Sequence, residues 1–389
     1  MNEIPEAPAP PAQRRRTTTV AIGALGAAGI AASAVFGVQA ALDDHTWSSA
    51  ARTTTAPSEP VISSGRAGFL PGAGSPSGTG SSATTTAAGT ATADQLVGVV
   101  DITTVLGYQD AEAAGTGMIL TSDGEVLTNN HVIEGATSIT VTVLSTGQSY
   151  PATVVGTAPT EDVAVLQLAG AAGLDTVQAD DDGGAAVGDA VTAVGNAGGD
   201  PTSTSAAAGT VTSLDQSITA TDETGSDTEQ LTGLIETNAD VQAGDSGGPL
   251  FDAEGEVVGM DTAASTGGAV QSYAIPIDTA LDLAEQITAG VDDETVHQGL
   301  PAFLGVSVRT AVSGGAAVAG VVPDGPAAAA GLATGDVITA VGGTTVTSPG
   351  DLTSALSSYD PGDQVTVTWI DTTGTGHSAT VTLAAGPAD

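Results

Sequence analysis

The sequence predicts a mainly β protein: a long all-β unit, either a barrel or a sandwich, followed by a smaller unit that mixes strands and helices. Three observations carry this prediction. From about Gln95 to Gly290, short Val-rich runs recur between Gly, Asp and Thr, and several alternate with period two, as in Ile139-Thr140-Val141-Thr142-Val143. A helical period first emerges near residue 280, where Ile277, Leu281, Ala284 and Ile287 share one face behind Asp278. After a short linker, Val291 to Gly299, the stretch from Phe303 to Leu383 begins and ends on strands and holds two helix candidates, Pro326 to Gly331 and Ser348 to Ser358.

Taken in order, the strands of the first unit start at Leu96-Val97-Gly98-Val99-Val100. They continue through Met118 to Leu120, Ser138 to Leu144, Ala152 to Val155, Val163 to Leu168 and Ala190 to Val194. Before them, residues 43–93 hold Thr, Ser, Gly, Pro and Ala without periodicity and read as a disordered linker. Residues 20–42 form an uncharged run behind Arg14, Arg15 and Arg16, long enough to span a bilayer. They read as a transmembrane signal anchor, or as a signal peptide cleaved after Val38-Gln39-Ala40. Residues 1–19 are then a cytoplasmic tail and the body lies outside the cytoplasm, because the basic flank stays inside. The membrane is thus a partner through the N-terminal segment if that segment is uncleaved.

Composition excludes several functions. The 389 residues hold 45 Asp+Glu against six Lys+Arg, all six of them Arg, for a net charge of −39. A chain so short of cations is not a nucleic-acid binder, since phosphates need Lys and Arg to neutralise them. With no Cys, disulfide scaffolds, thiolate metal sites and Cys nucleophiles are excluded. No cofactor and no metal site is expected; Asp180-Asp181-Asp182 reads as a solvated turn rather than a Ca²⁺ site.

The strongest chemical signal is Gly244-Asp245-Ser246-Gly247-Gly248-Pro249-Leu250. Glycines around one Ser let the backbone turn tightly and present the hydroxyl. They also let the N–H groups of Gly244 and Ser246 converge where an oxyanion could develop. A nucleophilic Ser needs a base. Of the four His, His45 neighbours the apolar run, His297 sits in the linker and His377 in a terminal hairpin. Only His131, in Leu127-Thr128-Asn129-Asn130-His131-Val132-Ile133, follows an apolar strand inside the first unit. For the carboxylate that orients the imidazole, context selects Asp162 in Glu161-Asp162-Val163-Ala164-Val165-Leu166, at the entry to an apolar strand.

These segments resemble the trypsin-like serine endopeptidases of the HtrA/DegP type, above all the secreted actinobacterial branch. The order His131, Asp162, Ser246 matches the family order, and Gly115-Thr116-Gly117, Gly195-Asn196, Gly209-Thr210-Val211, Val258-Gly259-Met260 and Tyr273-Ala274-Ile275-Pro276 support it. The resemblance implies two six-stranded antiparallel β-barrels, chymotrypsin-like, over residues 94–290, with the triad in the cleft between them. It implies that Ser246 attacks the peptide carbonyl, His131 moves the proton, Asp162 holds His131, and Gly244 with Ser246 binds the oxyanion. Residues 300–386 resemble a small α+β PDZ domain of the HtrA kind, through Phe303-Leu304-Gly305-Val306, Val322-Pro323-Asp324-Gly325-Pro326-Ala327, Ala330-Gly331-Leu332 and Gly335-Asp336-Val337-Ile338. The loop Phe303, Leu304, Gly305, Val306 would bind a peptide C-terminus, and the peptide would add a strand to the sheet. Protein and peptide substrates are the implied partners, with no nucleic acid. A homo-oligomer is also implied, although the N-terminal aromatics that commonly hold such trimers are not apparent.

Two positions depart from the HtrA pattern. Asp245 replaces the usual Asn before the nucleophile, and no Lys or nearby Arg is available to pair with it. It must be satisfied by hydrogen bonds or water, or stay exposed until activation. Asp240 falls where trypsin-like enzymes floor the primary specificity pocket, and Gln271 falls on its wall. Together they imply a polar pocket with some preference for basic residues, where HtrA-type enzymes prefer small aliphatic ones. The alternative to an active endopeptidase is a latent one acting as a PDZ peptide-binding, chaperone-like protein.

Overall fold

The computed structural model describes residues 89–181, 183–196, 204–221, 228–264, 270–311 and 314–388, together with the pair Gly37–Val38. The expected cytoplasmic tail, nearly all of the apolar run, most of the linker and His45 lie outside the described residues. Among the described residues no helix is long and apolar enough to cross a membrane.

The period-two runs form six strands, β1 (Val99–Leu106), β2 (Ala111–Ile119), β3 (Glu125–Thr128), β4 (Ser138–Val143), β5 (Gln148–Ala158) and β6 (Val163–Leu168). All pair antiparallel, in the order β5-β4-β1-β2-β3-β6, and β6 bonds back to β5, which closes a barrel. A helical turn, α1 (Asn130–Ile133), follows β3. A second set, β7 (Ala190–Gly195), β8 (Ser205–Thr221), β9 (Thr228–Thr237), β10 (Pro249–Phe251), β11 (Val257–Ala264) and β12 (Ser272–Pro276), closes in the same way, because β8 pairs both β9 and β7. Two closed six-stranded antiparallel barrels result, as the resemblance implied.

The burial pattern explains why runs such as Val163–Leu168 are apolar on both faces. Ala164, Leu166 and Leu168 point into the first barrel with Val100, Ile102 and Val126. Val163 and Val165 point the other way, into a core shared with Met260 and Ile275 of the second barrel and with Ile287 of α2 (Ile277–Thr288). Each such side chain contributes roughly 1.5–3 kcal/mol on burial, so the interface between the barrels is cemented by the same residues that build them.

The expected linker is more ordered than its sequence suggests. Within Val291 to Gly299, β13 (His297–Gln298) pairs with β5, and Val296 is fully buried in the shared core. The end of the N-terminal linker also pairs, Gly89–Thr90 with Ala206 and Ser205, so order begins before Gln95. Beyond it, β14 (Ala302–Phe303) precedes a sheet of β15 (Val306–Thr310), β16 (Ala316–Val321), β17 (Val337–Val341), β19 (Gln364–Ile370) and β20 (Gly376–Thr382), with the short β18 (Thr344–Thr345) on β17. Helices α3 (Pro326–Ala330) and α4 (Pro349–Leu356) match the two candidates, and Ser348 caps α4 by accepting from Asp351 N at 3.2 Å. The tail strand β21 (Ala384–Ala385) pairs with β14, and Ala388 then exchanges backbone bonds with Gly135 and Ala136, just after α1.

Candidate active site

The three candidate triad residues lie on three separate elements, and His131 and Asp162 are in direct contact. His131 lies on α1 at the end of β3, and both Asn130 and His131 are buried. Asp162 ends a 3-10 turn, Pro159–Glu161, in the left-handed region at φ 54°, a conformation Asp tolerates better than most side chains. This kink delivers its carboxylate to α1 before the chain enters β6. Asp162 Oδ1 accepts from His131 N at 3.0 Å, and the His131 Nδ1 lies 3.0 and 2.9 Å from the two carboxylate oxygens. Facing two acceptors, Nδ1 carries the proton, which leaves Nε2 as the basic nitrogen. The Asn129 side-chain amide donates to Asp162 O at 2.9 Å and fixes the turn.

Thr262, on β11, joins the two halves of the site. Its hydroxyl donates to Asp162 Oδ2 at 2.5 Å, and its carbonyl accepts from Ser246 Oγ at 3.3 Å. Sequence reasoning missed Thr262; in a chain so rich in Thr, no local signal marks it out. Thr116, quoted only as part of a supporting match, is the second tie. Its N–H donates to Ser246 O at 2.8 Å, its hydroxyl donates to Gly244 O at 2.7 Å, and that hydroxyl accepts from Asn196 N at 3.0 Å.

The loop around Ser246 follows from its glycines. Gly244 and Gly247 have φ of 98° and 84°, values open to glycine without strain. A Cβ on Gly247 would press on Thr116 O and Thr128 Oγ1. Gly247→Ala is therefore expected to lower stability by about 2 kcal/mol or more and to displace Ser246; a thermal melt and serine-probe labelling measured together check both. The N–H groups of Asp245, Gly247 and Gly248 donate to Gln242, Asp261 and Asp245 carbonyls. Those of Gly244 and Ser246 donate to no acceptor among the described residues, so this pair is available to an oxyanion.

Asp245 is satisfied by hydrogen bonds, one of the outcomes the sequence left open. It is buried, accepting from Ser205 Oγ at 2.6 Å and from Gln242 N at 2.9 Å. Burial nevertheless pushes its carboxyl above the usual range, against the lowering effect of the Ser205 bond. Beneath it lies an acid the sequence did not single out. Asp261 is fully buried and neither carboxylate oxygen has a hydrogen-bond partner among the described residues. Burial holds it well above the ordinary carboxylate range, and the charge of Asp245 adds to this. A third buried acid, Asp101, is raised by burial while Asn196 donates to it at 2.5 Å.

The other expected site residues are placed as follows. Asp240 is half-buried and its Oδ1 accepts from the Gln242 side chain at 2.9 Å. Gln271 is half-buried and donates to Glu236 Oε1 at 3.1 Å, which brings in a second carboxylate that sequence reasoning did not name. Asp180 is buried rather than solvated: its carboxylate accepts from Gly184 N at 2.6 Å, because the turn folds back on it, and Asp252 and Glu256 offer oxygens within 4.8 Å. Asp182 lies outside the described residues. In the second unit, Gly305 takes φ 81° and turns the loop Phe303, Leu304, Gly305, Val306, with Leu304 buried. That loop, Leu352 and Leu356 of α4, Tyr359 and His297 surround a cavity of about 100 Å³.

Comparison with known proteins places the chain in a family. The family described as trypsin-like peptidase domain matches residues 115–260, and the PDZ domain family matches residues 302–374. The chain is 32% identical over 391 residues to the serine protease PepD of Mycobacterium tuberculosis, covering 95% of this chain and 79% of that protein. It is 37% identical over 296 residues to a probable periplasmic serine endoprotease DegP-like of Brucella suis, covering 73% of this chain. It spans only 55% of that relative's length. Among solved structures, the serine endoprotease from Yersinia pestis is 24% identical with a TM-score of 0.43, covering 76% of this chain and 98% of that one. The chain belongs to the trypsin-like serine proteases of the DegP/HtrA type that carry a PDZ domain.

Proposed function

We propose that this chain is an extracytoplasmic, ATP-independent serine endopeptidase that cleaves protein substrates in quality control, guided by PDZ recognition of peptide C-termini. The observation that carries the reading is the His131–Asp162 pair, held at 2.9 Å beside a nucleophile loop whose carbonyls are pinned by Thr116. Ser246 attacks the scissile carbonyl, His131 Nε2 takes its proton and returns it to the leaving amine, and the N–H groups of Gly244 and Ser246 stabilise the oxyanion. No net redox change occurs and water releases the acyl-enzyme. The name of the Brucella suis relative supports a place outside the cytoplasm. The domain plan that goes with it is a tail at 1–19, an anchor or signal at 20–42, a linker at 43–93, the protease at 94–290 and the PDZ domain at 300–386. The membrane is engaged through the anchor where it is retained.

The test is hydrolysis of quenched fluorescent casein by the full chain beside Ser246→Ala. Turnover by the parent alone supports the reading; equal rates for both would sink it. A panel of peptides differing only at the scissile residue then reads the pocket. With Asp240 and Glu236 both acidic, Arg and Lys are expected to be favoured by about tenfold over Val and Ala, a modest charge preference; cleavage confined to Val and Ala would remove Asp240 and Gln271 from the specificity pocket. A second reading, a latent protease acting as a PDZ-dependent chaperone, is favoured by one observation: Ser246 Oγ is turned to Thr262 O. Under that reading casein stays intact until a PDZ peptide is added.

A further inference from the structure

Asp101 is a buried acid that no reaction step above uses, and its hydrogen bonds lead to the nucleophile loop. It lies on β1 between Val100 and Ile102, which point into the first barrel. Alternation turns Asp101 to the other face, with Val99, against the second barrel. Directly opposite it on β2 stands Thr116, whose side chain shares that face. A carboxylate there has left water at a cost that only hydrogen bonds offset. Asn196, the residue after β7 of the second barrel, supplies the close one. Its Nδ2 donates to Asp101 Oδ1 at 2.5 Å, while Thr103 Oγ1 makes a long contact with Oδ2 at 3.5 Å.

From Asn196 the bonds run on to the oxyanion donors. The Asn196 backbone N–H donates to Thr116 Oγ1 at 3.0 Å. The hydroxyl has one proton to place, and it goes to Gly244 O at 2.7 Å. The path crosses between the barrels three times: Asp101 to Asn196, Asn196 to Thr116, and Thr116 to Gly244. All four residues are buried, so water does not compete for these bonds. Thr116 N holds Ser246 O as well, so the carbonyls on both sides of Asp245 are tied. We propose that Asp101 is a positioning residue for the oxyanion site: acting through Asn196 and Thr116, it fixes the Gly244 carbonyl and with it the direction of the Gly244 and Ser246 N–H groups. The inference rests on the reading of this loop as the nucleophile loop of an active endopeptidase, and it names a residue far from the triad in that role. A purely structural acid would change the melting temperature and leave the kcat of the folded variant unchanged.

The experiment measures steady-state cleavage of the peptide panel by the full chain. The probes of the oxyanion site are peptide boronic acids ending in the arginine and valine analogues. Ser246 Oγ adds to boron, its proton passes to His131, and a boron-bound oxygen takes the oxyanion's place. Asp101→Leu removes the acceptor and is expected to lower kcat by about tenfold with KM unchanged. That is short of the roughly 10²–10³ that follows loss of an oxyanion donor outright. Boronic acid affinity should weaken by the same factor. Asp101→Asn keeps an oxygen for Asn196 and should stay within about threefold of the parent in both measurements. A parental kcat in Asp101→Leu, or a loss as large in Asp101→Asn, would overturn the inference while leaving the endopeptidase reading intact. A parent that neither cleaves the panel nor binds either boronic acid would overturn that reading and the inference with it. Should Asp101→Leu not fold, Asn196→Ala removes the donor and keeps the backbone N–H on Thr116. It must show the same loss of kcat, and a parental kcat overturns the inference.

Discussion

Replacing Asp162 by Asn is expected to lower kcat by about 10⁴ with little change in KM or thermal stability. The size of the effect follows from the proton inventory around the side chain. Asp162 receives three donors: His131 N, His131 Nδ1–H and Thr262 Oγ1–H. Asn offers one oxygen and one NH₂. The backbone N–H of His131 cannot become an acceptor, so the amide oxygen stays with it and the NH₂ turns towards Nδ1 and Thr262. Nδ1 must then accept, which places the imidazole proton on Nε2, the nitrogen that should take the proton of Ser246. The hydroxyl of Thr262 can rotate, so the fold survives. Steady-state kinetics on a cleavable peptide, with circular dichroism as a control for folding, check this. A loss below about tenfold would mean that Asp162 does not set the tautomer.

Asp261→Asn is expected to stabilise the protein increasingly as pH rises. In the folded state burial holds Asp261 well above the ordinary range, whereas in the unfolded chain it ionises near pH 4. Between those two values the native state binds the extra proton, so stability falls as pH rises, by about 1.4 kcal/mol for each pH unit over which the folded group stays protonated. Asp245 and Asp101, also raised by burial, act in the same direction, and so does the self-repulsion of a chain at −39. Comparing the variant with the parent cancels those shared contributions. The melting temperatures should nearly coincide at pH 4 and separate progressively as the pH is raised to 8, with the variant melting higher. A constant gap across this range would show that Asp261 ionises normally in the folded protein.

Much of this architecture was legible because local pattern and global fold agree. Period-two alternation in Ile139–Val143 reports a strand with one buried face, and Ile139 and Val141 are buried while Thr140 is exposed. His131 and Asp162, which the structure brings together, each sit at a break between an apolar strand and a turn, where a polar group can be buried with its partner, and that placement was legible. What was not legible depends on contacts distant in sequence. Thr262 meets Asp162 across 100 positions and Thr116 meets Gly244 across 128, and no short-range pattern encodes either. Asp261 looks like any of the chain's many acids until its strand is placed in the interior of the fold. His297 read as a linker residue because two-residue strands leave no periodicity; only its pairing with Thr157 shows that the linker is part of the barrel wall.

The most direct test of the account is labelling of the full chain with a fluorophosphonate probe, beside Ser246→Ala. Such a probe reacts only where a serine, its base and the oxyanion donors are assembled together. The account predicts stoichiometric labelling of the parent at Ser246 and none of the variant. Equal labelling of both, or labelling of neither, would contradict it.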